Sequence, residues 1–549
     1  MITTLKFDLT ISRTDQERID MVLADDCPYE VLYSVANYDT VRAVILAVAC
    51  NPGSTQLIID TILSRADISA IELAEYVESY NTETAMQKLS NTFCPIPWNH
   101  ISTNPEGTVR ACCQILDTTE SATSFGSGNI IKDDGSVLSS SDNIDDHRNS
   151  ALWKDLRRQF VKGEKPDLCK LCWSDEHAGG GSHRQRVVRM FPDVPKRALA
   201  NTSSDGTIRP SDFPIEYWDL RFGNNCNLKC RTCSPVSSNK WYDDYVALSS
   251  EESLTSNHSP YIRIEKDVNN KSIIIDSYNW YDNSVLWSSI ISSLPNAKRF
   301  YFTGGEPTIN TKHKELLSII IDMGLSKNIS LDYNTNVAGI PKDMFTLWPN
   351  FKSVNLGMSV DGIFEHFDYI RHPGKWPAAS RTLGKIDTDI TLSNTNASLS
   401  VTVSTLNVLH LLDMQWWSIE QKWQRIDPTL SIHHLHLPSM YNIQNLPSEM
   451  KFYITKRYER FIADIVRCYP SDYGVVNGIR KNFGSVIHHM NLHNEKNQWN
   501  EFVTFTDRLD KIRNEDWKVS LPELVKMEEY YTATKVQPPV FKLQVSNLS

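Results

Sequence analysis

No stretch of this chain is apolar for long. Its apolar runs, such as the Ile-rich segment at 272–275, are strand-sized, whereas a membrane-spanning helix needs about 20 such residues. An excess of positive charge is missing too. The 56 Lys and Arg stand against 66 Asp and Glu, a formal charge of −10, and sequence-independent nucleic-acid binding requires a basic face that displaces counterions. The opening MITTLKFDLTISRTDQERID lacks the apolar centre of a secretory signal, so the expected compartment is the cytoplasm. A disulfide framework fits poorly as well, because the 11 cysteines are odd in number and unevenly clustered. Under reducing conditions that distribution points to metal ligation.

The densest cluster is FGNNCNLKCRTCSP, which holds Cys226, Cys230 and Cys233. A disulfide leaves one of three thiols over. A structural zinc site ordinarily takes two pairs of ligands, and there is no fourth thiol nearby. Three thiolates on a four-iron cluster, by contrast, leave one iron open to an outside ligand.

The rest of the chain falls into four parts. Residues 1–90 read as two amphipathic helical runs broken at Asn51-Pro52-Gly53, with Cys27 and Cys50 as buried inert thiols. Residues 91–200 carry five cysteines. They include NSALWKDLRRQFVKGEKP, a helix capped at Asn149 or Ser150, with an apolar face of Leu152, Trp153, Leu156 and Phe160 and an end at Gly163 and Pro166. Residues 201–445 alternate strands with helices. The runs IEYWDLRF, RFYFT, ISLDYNT, SVNLGMSV, LSVTVST and SIHHLHL predict six strands of a parallel sheet. Between the first two lies an insert with a hairpin turning at Asn269-Asn270 and a helix at NSVLWSSIISSL. Residues 446–549 read as a charged helical extension containing Cys468.

Three motifs in order, CNLKCRTC after the first strand, TGGEP after the second and SVDG after the fourth, resemble those of radical S-adenosylmethionine enzymes that carry a twitch- or SPASM-like auxiliary cluster domain, here N-terminal. The resemblance covers roughly residues 90–440. It implies an α/β fold, a partial (β/α)6 TIM-like barrel with its chemistry at the C-terminal strand edges, preceded by a small auxiliary Fe-S domain and the helical module. It further implies that Cys226, Cys230 and Cys233 ligate a [4Fe-4S] cluster and that S-adenosylmethionine chelates the open iron. Gly304, Gly305 and Glu306 would hold the methionine amino group. The glycine pair permits close backbone approach and the carboxylate can accept from an ammonium. Ser359 and Asp361 would lie near the cofactor's polar end, and Asn334, Thr335 and Asn336 would face cofactor or substrate. Thr232 departs from the aromatic residue often found before the third cysteine, which puts adenine stacking there in doubt.

Upstream, Cys94, Gly107 and a cysteine five residues later, then Cys169 and Cys172, resemble an auxiliary-cluster ligand set with Cys112 chosen over Cys113. On a hairpin, adjacent residues face opposite sides. That site is a second [4Fe-4S] cluster on this reading and a structural zinc site on the rival one. Arg371 of YIRH reads as an ordinary salt bridge, and His434 and His436 as strand residues.

The resemblance implies reductive cleavage of the cofactor, a 5′-deoxyadenosyl radical, and hydrogen abstraction from a peptide or protein, with flavodoxin or ferredoxin as reductant. The helical module, Trp280, Trp287 and the hairpin edge suit an extended chain. The alternatives are the same chemistry on a small metabolite or sugar, and a non-catalytic Fe-S or zinc protein.

Overall fold

The computed structural model describes residues 91–115, 128–177, 181–249, 262–275, 278–282, 285–469, 473–492 and 497–536. The expectations for residues 1–90, including Cys27 and Cys50, lie outside them. The chain divides into two units. One comprises residues 1–93, 160–164 and 193–200, and in it the rings of Phe93 and Phe160 pack at 6.3 Å. The other, residues 94–159, 165–192 and 201–549, holds both sheets and every cysteine discussed below.

Among the described residues, ten strands form in chain order: β1 (His100–Thr103), β2 (Val109–Arg110), β3 (Tyr217–Arg221), β4 (Ile264–Lys266), β5 (Ser272–Ile274), β6 (Arg299–Thr303), β7 (Ser330–Thr335), β8 (Ser353–Ser359), β9 (Thr395–Val403) and β10 (Ile426–His434). All six strands expected from the β-rich runs are present. β4 and β5 are the expected hairpin, with Asn270 at φ 64° in its turn.

The large sheet has the order β10-β9-β8-β7-β6-β3-β1-β2. From β10 to β1 every pairing is parallel, and β2 runs antiparallel to β1. Strand order follows chain order from β3 to β10, with no reversal of the doubly wound kind. The cysteine-rich segment therefore joins this sheet directly, with Ser102 opposite Asp219.

The helices used below are α1 (Ala151–Val161), α2 (Lys170–His177), α3 (His183–Met190), α4 (Tyr242–Ser249), α5 (Thr311–Asp322), α6 (Glu365–Ile370) and α7 (Trp499–Arg513). α1 ends before Gly163 as expected and buries Trp153, Leu156 and Phe160, but the expected cap does not form, because Asn149 Oδ1 accepts instead from the Ile208 N–H and the Arg157 guanidinium, both at 3.0 Å. α3 starts from a full capping box, in which Ser182 and Gln185 each accept the other's backbone N–H.

The alternation of each strand sorts its side chains. One face carries Trp218, Leu220, Phe300, Phe302, Leu331, Tyr333, Leu356 and Met358, all buried. The other carries Asp219, Arg221, Tyr301, Thr303, Asp332, Asn334, Asn355, Ser359 and Thr402. Register places Asp219, Tyr301, Asp332 and Asn355 in one row across four strands. A packed barrel interior is built from branched apolar side chains, and this face is polar in every row. No helix among the described residues is long and apolar enough to cross a membrane.

Candidate active site

β3 ends at Arg221, and the chain turns through Phe222 and Gly223 into the loop of Cys226, Cys230 and Cys233. Gly223 (φ 68°) sits where a Cβ would lie 2.1 Å from the Tyr278 carbonyl oxygen. The three thiols come together around Leu228. Burial pushes the Cys226 thiol up to about 12, with the Cys230 thiol adding to the effect. Donors converge on these sulfurs. The Leu228 N–H and Asn336 Nδ2 lie 3.4 and 3.7 Å from Cys226 Sγ, and an Arg371 guanidinium nitrogen lies 3.8 Å from Cys230 Sγ. N–H groups and a cation directed at sulfur stabilise thiolates and suit a soft metal or an iron-sulfur cluster.

The TGGEP loop docks beneath by backbone contact. A Cβ on Gly305 (φ 57°) would fall 2.4 Å from the Asn225 carbonyl oxygen, and one on Gly304 (φ 78°) 2.8 Å from Arg221 Cβ. The Glu306 N–H donates to that Asn225 oxygen at 2.9 Å. The Glu306 carboxylate is buried. Its Oε1 accepts from the Thr308 N–H, Thr308 Oγ1 and Thr335 Oγ1 at 3.1, 2.7 and 2.9 Å, and its Oε2 from the Asn336 N–H at 2.7 Å. Burial raises this carboxyl against the pull of those bonds. Each carboxylate oxygen offers about two acceptor positions; Oε1 is crowded by three donors, and Oε2, with one, keeps a position for a further donor.

Arg371 makes the expected salt bridge, 2.8 Å to Asp361, but its contact with Cys230 makes it part of this site. Asp361 also accepts from the Thr402 N–H at 2.8 Å. The YIRH backbone completes the cysteine loop: the Lys229 and Arg231 N–H groups donate to the carbonyls of His372 and Ile370 at 2.7 and 2.8 Å. Ser359 closes β8 opposite Ser400, on the polar face and two residues before Asp361.

Sequence reasoning missed what holds Arg231, the residue that follows the second cysteine. It is fully buried, stacks on the Tyr369 ring at 3.6 Å, and pairs with Asp510 and, at 2.6 Å, with Glu515. Asp510 lies on α7, in the charged extension. Glu515 also meets His372 Nδ1 at 2.6 Å, and Arg513 meets Asp244 of α4 at 2.8 Å. An arginine between two candidate ligands was the available signal, since a buried guanidinium demands partners. Trp280 and Trp287 pack around Phe222, at 5.7 and 6.2 Å, so both are packing residues here.

The upstream cysteines gather at the β1 side of the same sheet. Burial raises Cys94, and the Cys169 and Cys172 thiols raise it further. Cys169 and Cys172 flank the start of α2, and Arg184 of α3, paired with Glu176 at 2.7 Å, lies close enough to lower Cys94 and Cys169. The alternation expected for Cys112 and Cys113 is absent. β2 ends at Arg110, both residues lie beyond it, and their sulfurs and a ring nitrogen of His183 fall within 4.8 Å of one another. Cys113 also lies near enough to Tyr217, Asp219 and Tyr301 to perturb all three, which places the upstream group against the polar face. Asp219 is fully buried and raised to about 6 by that burial, against the pull of Arg221.

No family model matches the chain, and no curated protein matches it. Solved structures do. anSMEcpe with bound AdoMet is 16 % identical, with a TM-score of 0.28, over 46 % of this chain and 62 % of that one. SuiB of Streptococcus suis is 12 % identical, with a TM-score of 0.29, over 58 % and 64 %. SuiB bound to precursor peptide SuiA is 13 % identical, with a TM-score of 0.26, over 57 % and 63 %. The matched parts thus span less than two thirds of each of these proteins.

Proposed function

We propose that this chain is a radical S-adenosylmethionine enzyme acting on a peptide or protein. The observation that carries the reading is the convergence of Cys226, Cys230 and Cys233 with the Gly304-Gly305-Glu306 loop, under N–H donors from Asn336 and Arg371. The donor set fits a [4Fe-4S] cluster with one iron left for the cofactor. Such a cluster supplies reductive, homolytic cleavage of S-adenosylmethionine to a hydrogen-abstracting radical.

The chain's own groups then have assignable tasks. The positive φ angles of the glycine pair hold backbone against the cysteine loop. Glu306, fixed by four hydrogen bonds, keeps an acceptor position for the methionine ammonium. Arg371 balances thiolate charge and is itself oriented by Asp361. Ser359 and its neighbours on the polar face bind the cofactor's polar end and orient substrate. Cys94, Cys169, Cys172 and one of the adjacent pair Cys112 and Cys113 supply four thiolates for an auxiliary [4Fe-4S] cluster beside that face. The strand order suits a partial barrel, and flavodoxin or ferredoxin is the class of reductant required.

The β4–β5 hairpin, with Glu265, Lys266 and Ile273 exposed, suits pairing with an extended peptide, whereas the charged and hydroxyl-rich polar face equally suits a small metabolite or sugar. Deleting residues 1–90 separates the two. A peptide enzyme should keep uncoupled cofactor cleavage and lose kcat/KM for its substrate, since remote binding energy is lost. Unchanged kcat/KM would favour the small molecule. The enzyme reading itself is tested by anaerobic reconstitution with iron, sulfide and dithionite. 5′-Deoxyadenosine should form from S-adenosylmethionine, and a zinc-loaded chain without cleavage would leave a metal-binding protein.

A further inference from the structure

Five thiols stand upstream where four close a site, and the surroundings of Cys113 distinguish it from its neighbour. His183, the first residue of α3, is buried, and its ring nitrogens have different partners. Nδ1 lies 2.7 Å from a guanidinium nitrogen of Arg186, and Nε2 lies 3.9 Å from Cys113 Sγ. A guanidinium has donors and no acceptor. Nδ1 must therefore accept, and the one proton of the neutral imidazole sits on Nε2, directed at the sulfur. A ring locked this way is a poor metal ligand. The ligating nitrogen must be unprotonated, and the other ordinarily donates to a carboxylate or carbonyl. The grouping of Cys112, Cys113 and His183 within 4.8 Å is thus a sulfur ringed by donors, not three ligands about one ion. Gln114 Nε2 is a second side-chain donor to Cys113 Sγ, at 3.8 Å, and Cys112 Sγ takes the Gln114 backbone N–H at 3.4 Å.

We propose that Cys113 is the fourth thiolate of the upstream centre and that His183 is a positioning residue donating its Nε2–H to that sulfur, with Arg186 holding the tautomer. This rests on the upstream centre being an iron-sulfur cluster, as proposed above. Hydrogen bonds to cluster sulfurs set the reduction potential, raising it by favouring the more negative reduced state. Arg186 is solvent-exposed and close enough to Tyr301 and His433 to perturb both, so the tautomer lock is anchored at the polar face where substrate is proposed to bind.

The test is the midpoint potential of the upstream cluster, followed by EPR in the full chain carrying Cys226→Ala, Cys230→Ala and Cys233→Ala, with iron, sulfide and zinc counted in parallel. His183→Ala should retain iron and shift the potential downward. His183→Gln, whose amide restores an N–H donor, should recover part of that shift, and Arg186→Met should move the potential the same way as His183→Ala. Cys113→Ser should lose the cluster and Cys112→Ser should keep it. An unmoved potential in His183→Ala at full iron content overturns the donor role. Iron loss in both His183 variants makes the imidazole a ligand and overturns it as well. Loss of the cluster in Cys112→Ser alone overturns the choice of Cys113. Zinc in place of iron at the upstream thiols in every chain removes the auxiliary cluster reading and this inference with it, an outcome that the metal counts separate from the other three.

Discussion

The two cysteine groups adjoin one sheet yet differ in how their thiols are brought together. Downstream, three thiols come from a single eight-residue stretch, and the groups that support them arrive from far along the chain: Asn336, Arg371, Asp510 and Glu515. Upstream, the thiols themselves are dispersed over Cys94, the pair at 112–113 and the pair at 169 and 172, and of their supports only Gln114 adjoins the thiol it serves, while His183 stands 70 residues from Cys113 and Arg184 comes from the same helix. A compact ligand loop announces itself in the sequence and hides its scaffold. A dispersed ligand set hides which thiol counts as well as most of its scaffold.

The comparison breaks most sharply if the groups are not independent. Replacing Cys226, Cys230 and Cys233 together by Ala should reduce iron to that of the upstream cluster, roughly four per chain, and further loss would show that one centre depends on the other. The next largest effect concerns the distant scaffold. Arg231→Met removes the one guanidinium shared by buried Asp510 and Glu515, leaving Asp510 with the Tyr369 hydroxyl and Trp517 N–H and Glu515 with His372, and should destabilise the chain by about 3–5 kcal/mol in denaturant unfolding. A loss near that of a surface substitution would mean that the extension does not hold the cysteine loop.

These expectations mark what was legible. The six strands were readable because β-branched and aromatic runs report a local preference that the sheet then honours, and the hairpin at Asn269-Asn270 because its turn chemistry is local. That Cys226, Cys230 and Cys233 come together was readable because they share one short loop. The bond from Asn336 to Cys226 and the pairing of Arg231 with a carboxylate 279 residues away were not, because no periodicity links residues so far apart. The hairpin argument for Cys112 over Cys113 does not apply, since alternation holds within a strand and β2 stops two residues earlier; the Gly107 spacing that also pointed to Cys112 is untouched by this.

Two smaller effects sharpen the comparison at the polar face. Asp219 is raised from 3.8 to about 6 by burial. Between about pH 4 and 6 the folded chain holds a proton that the unfolded chain releases, so its contribution falls as pH rises, by at most about 3 kcal/mol in all. Asp219→Asn should remove that slope from the pH dependence of unfolding, and an unchanged slope would assign it elsewhere. Thr335→Val removes one of three donors to Glu306 Oε1 and should cost about 1–3 kcal/mol, seen as a raised KM for S-adenosylmethionine. An unchanged KM would separate Glu306 from cofactor binding.

The central claim is that the downstream group is the reagent and the upstream group is not. It is tested most directly by measuring 5′-deoxyadenosine formed from S-adenosylmethionine under dithionite in two reconstituted variants side by side, Cys230→Ala and Cys172→Ala. The account predicts none from Cys230→Ala and uncoupled formation retained in Cys172→Ala. Formation in Cys230→Ala at the parent rate, or its loss in Cys172→Ala with the downstream cluster intact, would contradict it.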